Sequence, residues 1–335
     1  MSTPIHPFAK YVAILGRGKT KQRHLTIDEA KDSMAMILRG ETEPEQIGAY
    51  LMLLRLKEES PGEIAGFTLG TRLVLGRPSS IPQVDLDWSS YAGKRRQLPW
   101  FLLSAILLAQ NGVRVMMHGS GEHTPGRIYT DTALGFLGFP VAASLNEAAA
   151  QIENTGFAYI GLKDMCPPLQ KLMELKPILG LRSPVHSFAR MINPFDAPVM
   201  MQGIFHRGFM DIHAGAGLLL DQPVTVVFRG EGGEVERRPN KPTMAGTASN
   251  GEFTEEIWPQ LLPDGHAAAD TEMDLGLMIS VWSEDVQNDY ATASVIGTLA
   301  IALRSLGKAD SVDSAQALAQ EMWDTRDKQL LPLKA

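Results

Sequence analysis

The apolar positions of this chain follow two regimes, which change over near residue 80. From Phe8 to Leu75 they recur every three or four residues, the period of helices that bury one face. Phe8, Val12 and Leu15 share one side of a first helix that begins near Pro4 and ends at Gly16. Thr26-Ile27-Asp28-Glu29 forms a capping box, in which the threonine oxygen takes an orphan amide while the glutamate reaches back to the cap. It opens a second helix that sends Ala30, Met34, Ile37 and Leu38 inward and stops at Gly40. Pro44 suits the first turn of a third helix, whose Ile47, Leu51, Leu54 and Leu56 lie mostly on one face. Ser60-Pro61-Gly62-Glu63 starts a fourth, running to about Leu75, and Gly76-Arg77-Pro78-Ser79-Ser80 leads out of the helical unit.

From Ile81 short apolar runs alternate with helical segments, the signature of a mainly parallel sheet. Strands are predicted over 82–86, 113–117, 157–160, 199–204 and 223–229, and helices over 98–110, 130–138, 145–153 and 208–220. Residues 167–192 interrupt the alternation with two short helical segments around Gly180-Leu181-Arg182-Ser183. The stretch 230–262, rich in Gly, Pro, Asn and Thr, reads as loops and hairpin strands, and helices return over 268–280, 283–306 and 311–323. The expected fold class is α/β: a small helical domain over 1–77, followed by a larger, mainly parallel α/β domain.

Composition narrows the class without naming a function. With 335 residues, 44% apolar and 21% charged, the chain has the make-up of an ordinary globular protein that buries a large core. No apolar run approaches the roughly 18 to 20 residues of a membrane helix, and residues 1–30 lack the pattern of a signal peptide. The single cysteine, Cys166, forms no internal disulfide and precedes Pro167-Pro168 in no reactive motif, so it reads as an inert thiol. Together these point to a cytoplasmic protein.

Charge changes the picture more. The net charge is −7, yet residues 1–127 hold 16 Lys/Arg against 12 Asp/Glu, a net of +4, while residues 128–335 hold 15 against 26, a net of −11. A local basic stripe, not the total, decides contact with a polyanion. Two basic clusters stand out: Arg17, Lys19, Lys21 and Arg23 after the first helix, and Lys94-Arg95-Arg96 in the loop Ser89-Ser90-Tyr91-Ala92-Gly93-Lys94-Arg95-Arg96-Gln97. The second cluster follows the first predicted strand. The next strand delivers His118-Gly119-Ser120-Gly121-Glu122-His123-Thr124-Pro125-Gly126-Arg127. Two such loops lie side by side at the carboxyl ends of adjacent parallel strands, where open α/β sheets bind ligands.

The candidate phosphate or nucleic-acid contacts are therefore Arg17, Lys19, Lys21, Arg23, Lys94, Arg95, Arg96 and Arg127. Ser90, Gly93, His118, Gly119, Ser120, His123 and Arg182 are candidate pocket residues. Cations in this arrangement neutralise backbone phosphates and give salt-sensitive, sequence-indifferent binding. Whether the two clusters share a face is not written in the sequence. His118 either shapes a pocket floor or fills a turn. Tyr91 and Trp100 are placed to stack bases, although rings in such positions more commonly pack in the core. Ala13 to Thr20 formally meets a loose phosphate-loop pattern, but a helix precedes it where the mechanism needs a strand. His206 and His213 have no third ligand at metal spacing, so no metal site is expected.

Several longer motifs together resemble the anthranilate phosphoribosyltransferase family, glycosyltransferase family 3. They are Leu25-Thr26-x-x-Glu29-Ala30, Ile37-x-x-Gly40-Glu41, Gln46-Ile47-x-Ala49-Tyr50-Leu51-Met52-x-Leu54-Arg55-x-Lys57 and Glu63-Ile64-Ala65-Gly66-Phe67. Leu179-Gly180-Leu181-Arg182-Ser183, Asn193-Pro194 and a strand-terminal His118-Gly119 complete the set. The resemblance implies a nucleoside-phosphorylase-like (class II phosphoribosyltransferase-like) fold. In it the helical domain 1–77, completed by 167–192, is hinged to an α/β domain of 78–166 and 193–335, and two chains pair through the helical domain. It also implies Arg182 as the contact for an acceptor carboxylate, and magnesium with phosphoribosyl pyrophosphate as ligands of an active member.

The phosphate-binding residues depart from that family. Its Gly-Thr-Gly-Gly-Asp-Gly loop stands here as Ser89-Ser90-Tyr91-Ala92-Gly93-Lys94, and its Thr-Phe-Asn-x-Ser-Thr helix start as Gln97-Leu98-Pro99-Trp100-Phe101-Leu102. Its Lys-His-Gly-Asn is Met117-His118-Gly119-Ser120, and its magnesium-binding Asp-Glu pair falls near Val235-Glu236. With Gly16-Arg17-Gly18-Lys19 and Ser90-Tyr91-x-Gly93-x-Arg95, the chain is similar to a divergent paralogue branch of nucleic-acid-binding dimers. The expectation is a dimeric, largely sequence-independent nucleic-acid binder without a cofactor or metal. The alternative is an active phosphoribosyltransferase or glycosyltransferase with altered specificity, using magnesium and phosphoribosyl pyrophosphate.

Overall fold

The computed structural model describes residues 4–18, 20–121, 124–263, 270 and 272–331. Four helices come first: α1 (Ala9–Gly16), α2 (Ile27–Leu38), α3 (Pro44–Lys57) and α4 (Pro61–Arg72). Both sequence-predicted caps form. The Glu29 amide donates to Thr26 Oγ1 at 3.2 Å while Glu29 Oε2 accepts from the Thr26 amide at 2.9 Å, and Ser60 and Glu63 repeat the box at α4. Glu63 is fully buried and also accepts from the Leu25 amide at 2.9 Å and from Lys57 Nζ at 2.7 Å. One carboxylate therefore ties the starts of α2 and α4 to the end of α3.

The rest of the chain builds a seven-stranded sheet: β1 (Leu86–Ser90), β2 (Val115–Gly119), β3 (Phe157–Gly161), β4 (Val199–Ile204), β5 (Val224–Arg229), β6 (Thr243–Ser249) and β7 (Glu252–Trp258). Their order is β3-β2-β1-β4-β5-β6-β7, parallel through β5 and antiparallel beyond it. Between strands run α5 (Phe101–Gln110), α6 (Thr130–Phe136), α7 (Leu145–Thr155), α8 (Leu162–Met165), α9 (Pro167–Met173), α10 (Lys176–Leu179), α11 (Val185–Phe188) and α12 (Phe209–Leu219). The chain ends in α13 (Gly276–Trp282), α14 (Asp289–Ser305) and α15 (Val312–Asp324). Asn250 and Gly251, at φ 51° and 80°, make the tight turn of the β6–β7 hairpin.

Alternate side chains of the central strands enter separate cores. Val115 and Met117 pack with α5 and α14 on one face, while Met116, Ala158 and Met200 face the helical unit. The short helices of 167–192 join that second core, where the Phe188 ring lies 5.4 Å from Phe67 and Arg72 Nε donates to the Ile192 carbonyl at 2.7 Å.

Two strands are displaced from their expected positions. β1 occupies Leu86–Ser90, not 82–86, and β2 occupies Val115–Gly119, not 113–117. Both contain polar residues that break an apolar run, yet every residue of both is buried. Asp87 and His118 meet across the sheet, with Nε2 3.3 Å from Oδ2. The expected helix over 283–306 begins only at Asp289, since Glu284 takes φ 68° and ends the preceding helix.

Candidate functional site

A cleft of about 910 Å3 opens at the carboxyl ends of β1, β4 and β5. The winding of the sheet reverses between β1 and β4, the switch point at which open α/β sheets bind ligands. The floor is the loop Tyr91–Lys94 together with 231–233, one wall is 203–206, and Arg55, Arg182 and Arg190 reach it from the helical side. Among the described residues, ten Lys/Arg line the cleft against two acids, Glu59 and Glu231. In a chain of net charge −7 that is a strong local reversal of sign.

Internal carboxylates fix the floor. Glu234 Oε1 accepts from the amides of Ala92 and Gly93 at 2.6 and 2.5 Å. Two residues on, Glu236 pairs with Lys94 Nζ and accepts from the Phe101 amide at 3.0 Å, at the start of α5. Burial pushes the Glu236 carboxyl up to about 7, against the opposing pull of Lys94. From the other side Arg127 Nη1 donates to the carbonyls of Ala92 and Gly93 at 2.7 and 3.3 Å. Gly93, at φ 68°, lies so close to the Tyr129 ring that a Cβ there would approach it at 2.8 Å.

The cations divide into engaged and free. The Lys94 side chain is only 2% exposed and serves as the counter-ion of Glu236, which corrects its assignment as a contact for nucleic acid. Arg238 pairs with Glu231 at 3.0 Å. Arg95 and Arg96 are exposed on the cleft, and neither side chain has a hydrogen bond or ion pair among the described residues. Arg182, Arg229 and Lys241 are exposed there as well. Desolvation, and after it the neighbouring Arg127, hold the Arg182 guanidinium below its ordinary value.

Comparison with known proteins agrees with this architecture. Residues 11–72 match the model of the glycosyl transferase family helical bundle domain. An anthranilate phosphoribosyltransferase of Dictyoglomus thermophilum is 29% identical over 223 residues, covering 66% of this chain and 65% of that protein. The uncharacterized protein YbiB of Escherichia coli K12 is 30% identical over 190 residues, covering 56% and 59%. The chain thus spans under two thirds of the length of both relatives. The crystal structure of anthranilate phosphoribosyltransferase from Thermus thermophilus superposes with a TM-score of 0.79 at 20% identity, over 97% of each chain. The Saccharomyces cerevisiae enzyme in complex with PRPP and Mg superposes at 0.76 and 14% identity, over 95% of this chain and 93% of that one.

The chain carries a stretch matching the helical bundle domain of this glycosyl transferase family and shares the fold of anthranilate phosphoribosyltransferase.

The remaining predicted residues are scattered. Arg17, Lys21 and Arg23 are exposed but line no part of the cleft, and Arg23 is bound to Glu29 through two hydrogen bonds of 2.6 and 2.8 Å. Lys19 and His123 lie outside the described residues. Ser90 is buried and hydrogen-bonded to Thr130 at 2.7 Å, and Ser120 is buried with its hydroxyl donating to the Gly121 carbonyl at 3.2 Å. His118 is buried beneath the floor, its Nδ1 2.8 Å from the Tyr91 hydroxyl. Gly119 lets β2 approach the Ser90 carbonyl, a space that a Cβ would fill. Tyr91 and Trp100 are buried and pack in the core. His213 is held to Gln202, and burial pushes its imidazole down to about 3. Among the described residues no three metal-ligating side chains converge.

Sequence reasoning missed Arg55, Arg190, Arg229, Arg238 and Lys241 as cleft residues. Arg229 alone left a signal, since it ends a strand on the ligand-binding side of a parallel sheet.

Proposed function

We propose that the chain binds nucleic acid in this cleft, as a largely sequence-independent polyanion contact with an altered phosphoribosyl site, and that two copies pair through the helical domain. The observation that carries the reading is the excess of ten cations over two acids among the described residues of the cleft, with Arg95, Arg96 and Arg229 exposed on it. Flexible side-chain cations suit an extended chain of phosphates, each contact releasing counterions. Phe205, 50% exposed and edge-on to His206 at 4.8 Å, offers a face on which a base can stack. Neither Glu234 nor Glu236 presents its carboxylate to a metal ion. One holds backbone amides and the other holds Lys94, so these residues do not fit magnesium.

The test is a titration of a single-stranded oligonucleotide at several salt concentrations. Binding is expected to weaken steeply with salt, and the combined change Arg95→Ala, Arg96→Ala and Arg229→Ala is expected to lower the slope of log K against log salt by roughly 2. No binding at low salt, or a slope unaffected by the three changes, would sink the reading. Relatives named as anthranilate phosphoribosyltransferases favour a second reading, phosphoribosyl transfer to an altered acceptor. Stoichiometric calorimetric binding of phosphoribosyl pyrophosphate with magnesium supports that one, and its absence removes it.

A further inference from the structure

The loop after β1 places two consecutive amides, those of Ala92 and Gly93, on a single oxygen of Glu234. Successive backbone N–H groups converging on one point form an anion-binding concavity. Here the anion belongs to the chain itself. Glu234 is fully buried, and its second oxygen is enclosed without a hydrogen-bond partner among the described residues. Nη1 of Arg190, a residue that lines the cleft, is likewise enclosed and unpartnered. A concavity built only to be closed by a carboxylate would leave neither group wanting. A phosphate, with oxygens on four sides, could satisfy the amides and the guanidinium together.

The backbone of Glu234 is also held in place. A Cβ on Gly203, in β4, or on Gly230, just after β5, would fall on the Glu234 carbonyl group. The two glycines thus admit the Glu234 peptide between the strand ends and aim its side chain at the loop.

We infer that Glu234 is a built-in occupant of a phosphate-type anion site. Its carboxylate sets the specificity of the cleft by denying the floor to small phosphates while leaving the rim cations free. Removing the carboxylate opens a site for inorganic phosphate or pyrophosphate on the amides of Ala92 and Gly93 and the Arg190 guanidinium. The inference is independent of what binds the rim, so loss of oligonucleotide binding would not affect it.

Calorimetry with inorganic pyrophosphate in metal-free, low-salt buffer tests it on the full chain. Glu234→Ala is expected to bind about tenfold or more tightly than the wild type, the worth of a small set of charge-assisted hydrogen bonds. Glu234→Gln keeps the shape and an acceptor oxygen, so it is expected to match the wild type. Equal affinity of Glu234→Ala and the wild type overturns the inference. So does a Glu234→Gln variant that binds like Glu234→Ala, because net charge alone would then explain the gain. Should Glu234→Ala fail to fold, amide resonances of the wild type decide. Pyrophosphate is expected to shift those of Arg95 and Arg96 and leave Ala92 and Gly93 in place, and movement of the latter pair refutes the occupancy.

Discussion

Replacing Lys94 by Met is expected to destabilise the protein by about 3–5 kcal/mol at pH 8, the cost of stranding one half of a buried ion pair. Methionine keeps most of the volume of the lysine stem, so the loss reports charge more than packing. The stranded group is Glu236, fully buried and already raised to about 7 with Lys94 present. Without the cation its folded-state value rises further above the unfolded value of about 4.3. A carboxyl raised on folding contributes stability below its unfolded value and loses it as pH climbs through the folded one. At pH 5 both proteins hold the Glu236 proton, so its cost cancels and the penalty is expected to be smaller by about 1.4 kcal/mol, the worth of the one pH unit between about 7 and 8. Urea denaturation at the two pH values checks this. A second change, Glu236→Gln, is expected to restore most of the stability at pH 8, because it removes the charge and keeps an acceptor for the Phe101 amide. A pH-independent penalty, or one under about 1 kcal/mol at pH 8, would contradict the buried pair.

Gly230→Ala is expected to cost roughly 3 kcal/mol or more, for a different reason. Gly230 has an ordinary extended backbone, φ −86° and ψ 169°, so alanine meets no conformational strain. The obstacle is the Glu234 carbonyl, which occupies the place of the new methyl group. Relief requires moving a backbone segment whose Glu234 and Glu236 side chains both anchor the loop after β1. Gly135 in α6 is the matching control: nothing lies within 4 Å of a Cβ built there. Gly135→Ala is expected to stabilise by up to about 1 kcal/mol through helix propensity alone. Thermal melts of the two variants should move in opposite directions, and similar shifts would mean the crowding at Gly230 is not real.

The contrast between these two glycines shows what the sequence conveys and what it hides. Local chemistry was legible: the caps at Thr26 and Ser60, the βα alternation and the family motifs all rest on neighbours within a few residues. Interior polarity was not. Asp87 and His118 looked like loop residues because their partners lie across the sheet, and two strand positions were displaced as a result. Lys94, Arg95 and Arg96 are equivalent on paper. They part company only because Glu236, 142 positions away, returns beneath the loop. Arg55 and Arg190 carry no pattern of their own and become cleft residues through the packing of the helical segments. Arg17, Lys21 and Arg23, conspicuous as text, line no part of the cleft, with Arg23 held by Glu29.

That division of the triplet bears on timing. An ammonium locked inside the molecule contributes little to the field outside it, whereas the two exposed guanidiniums of Arg95 and Arg96 project a field that would speed encounter with a polyanion. Contacts made at a wet rim change arrival rates and salt response, while long residence comes from charge pairs sealed away from water. On the proposed reading, a protein whose sealed pair is spent on its own loop is suited to rapid capture and equally rapid release of a polyanion.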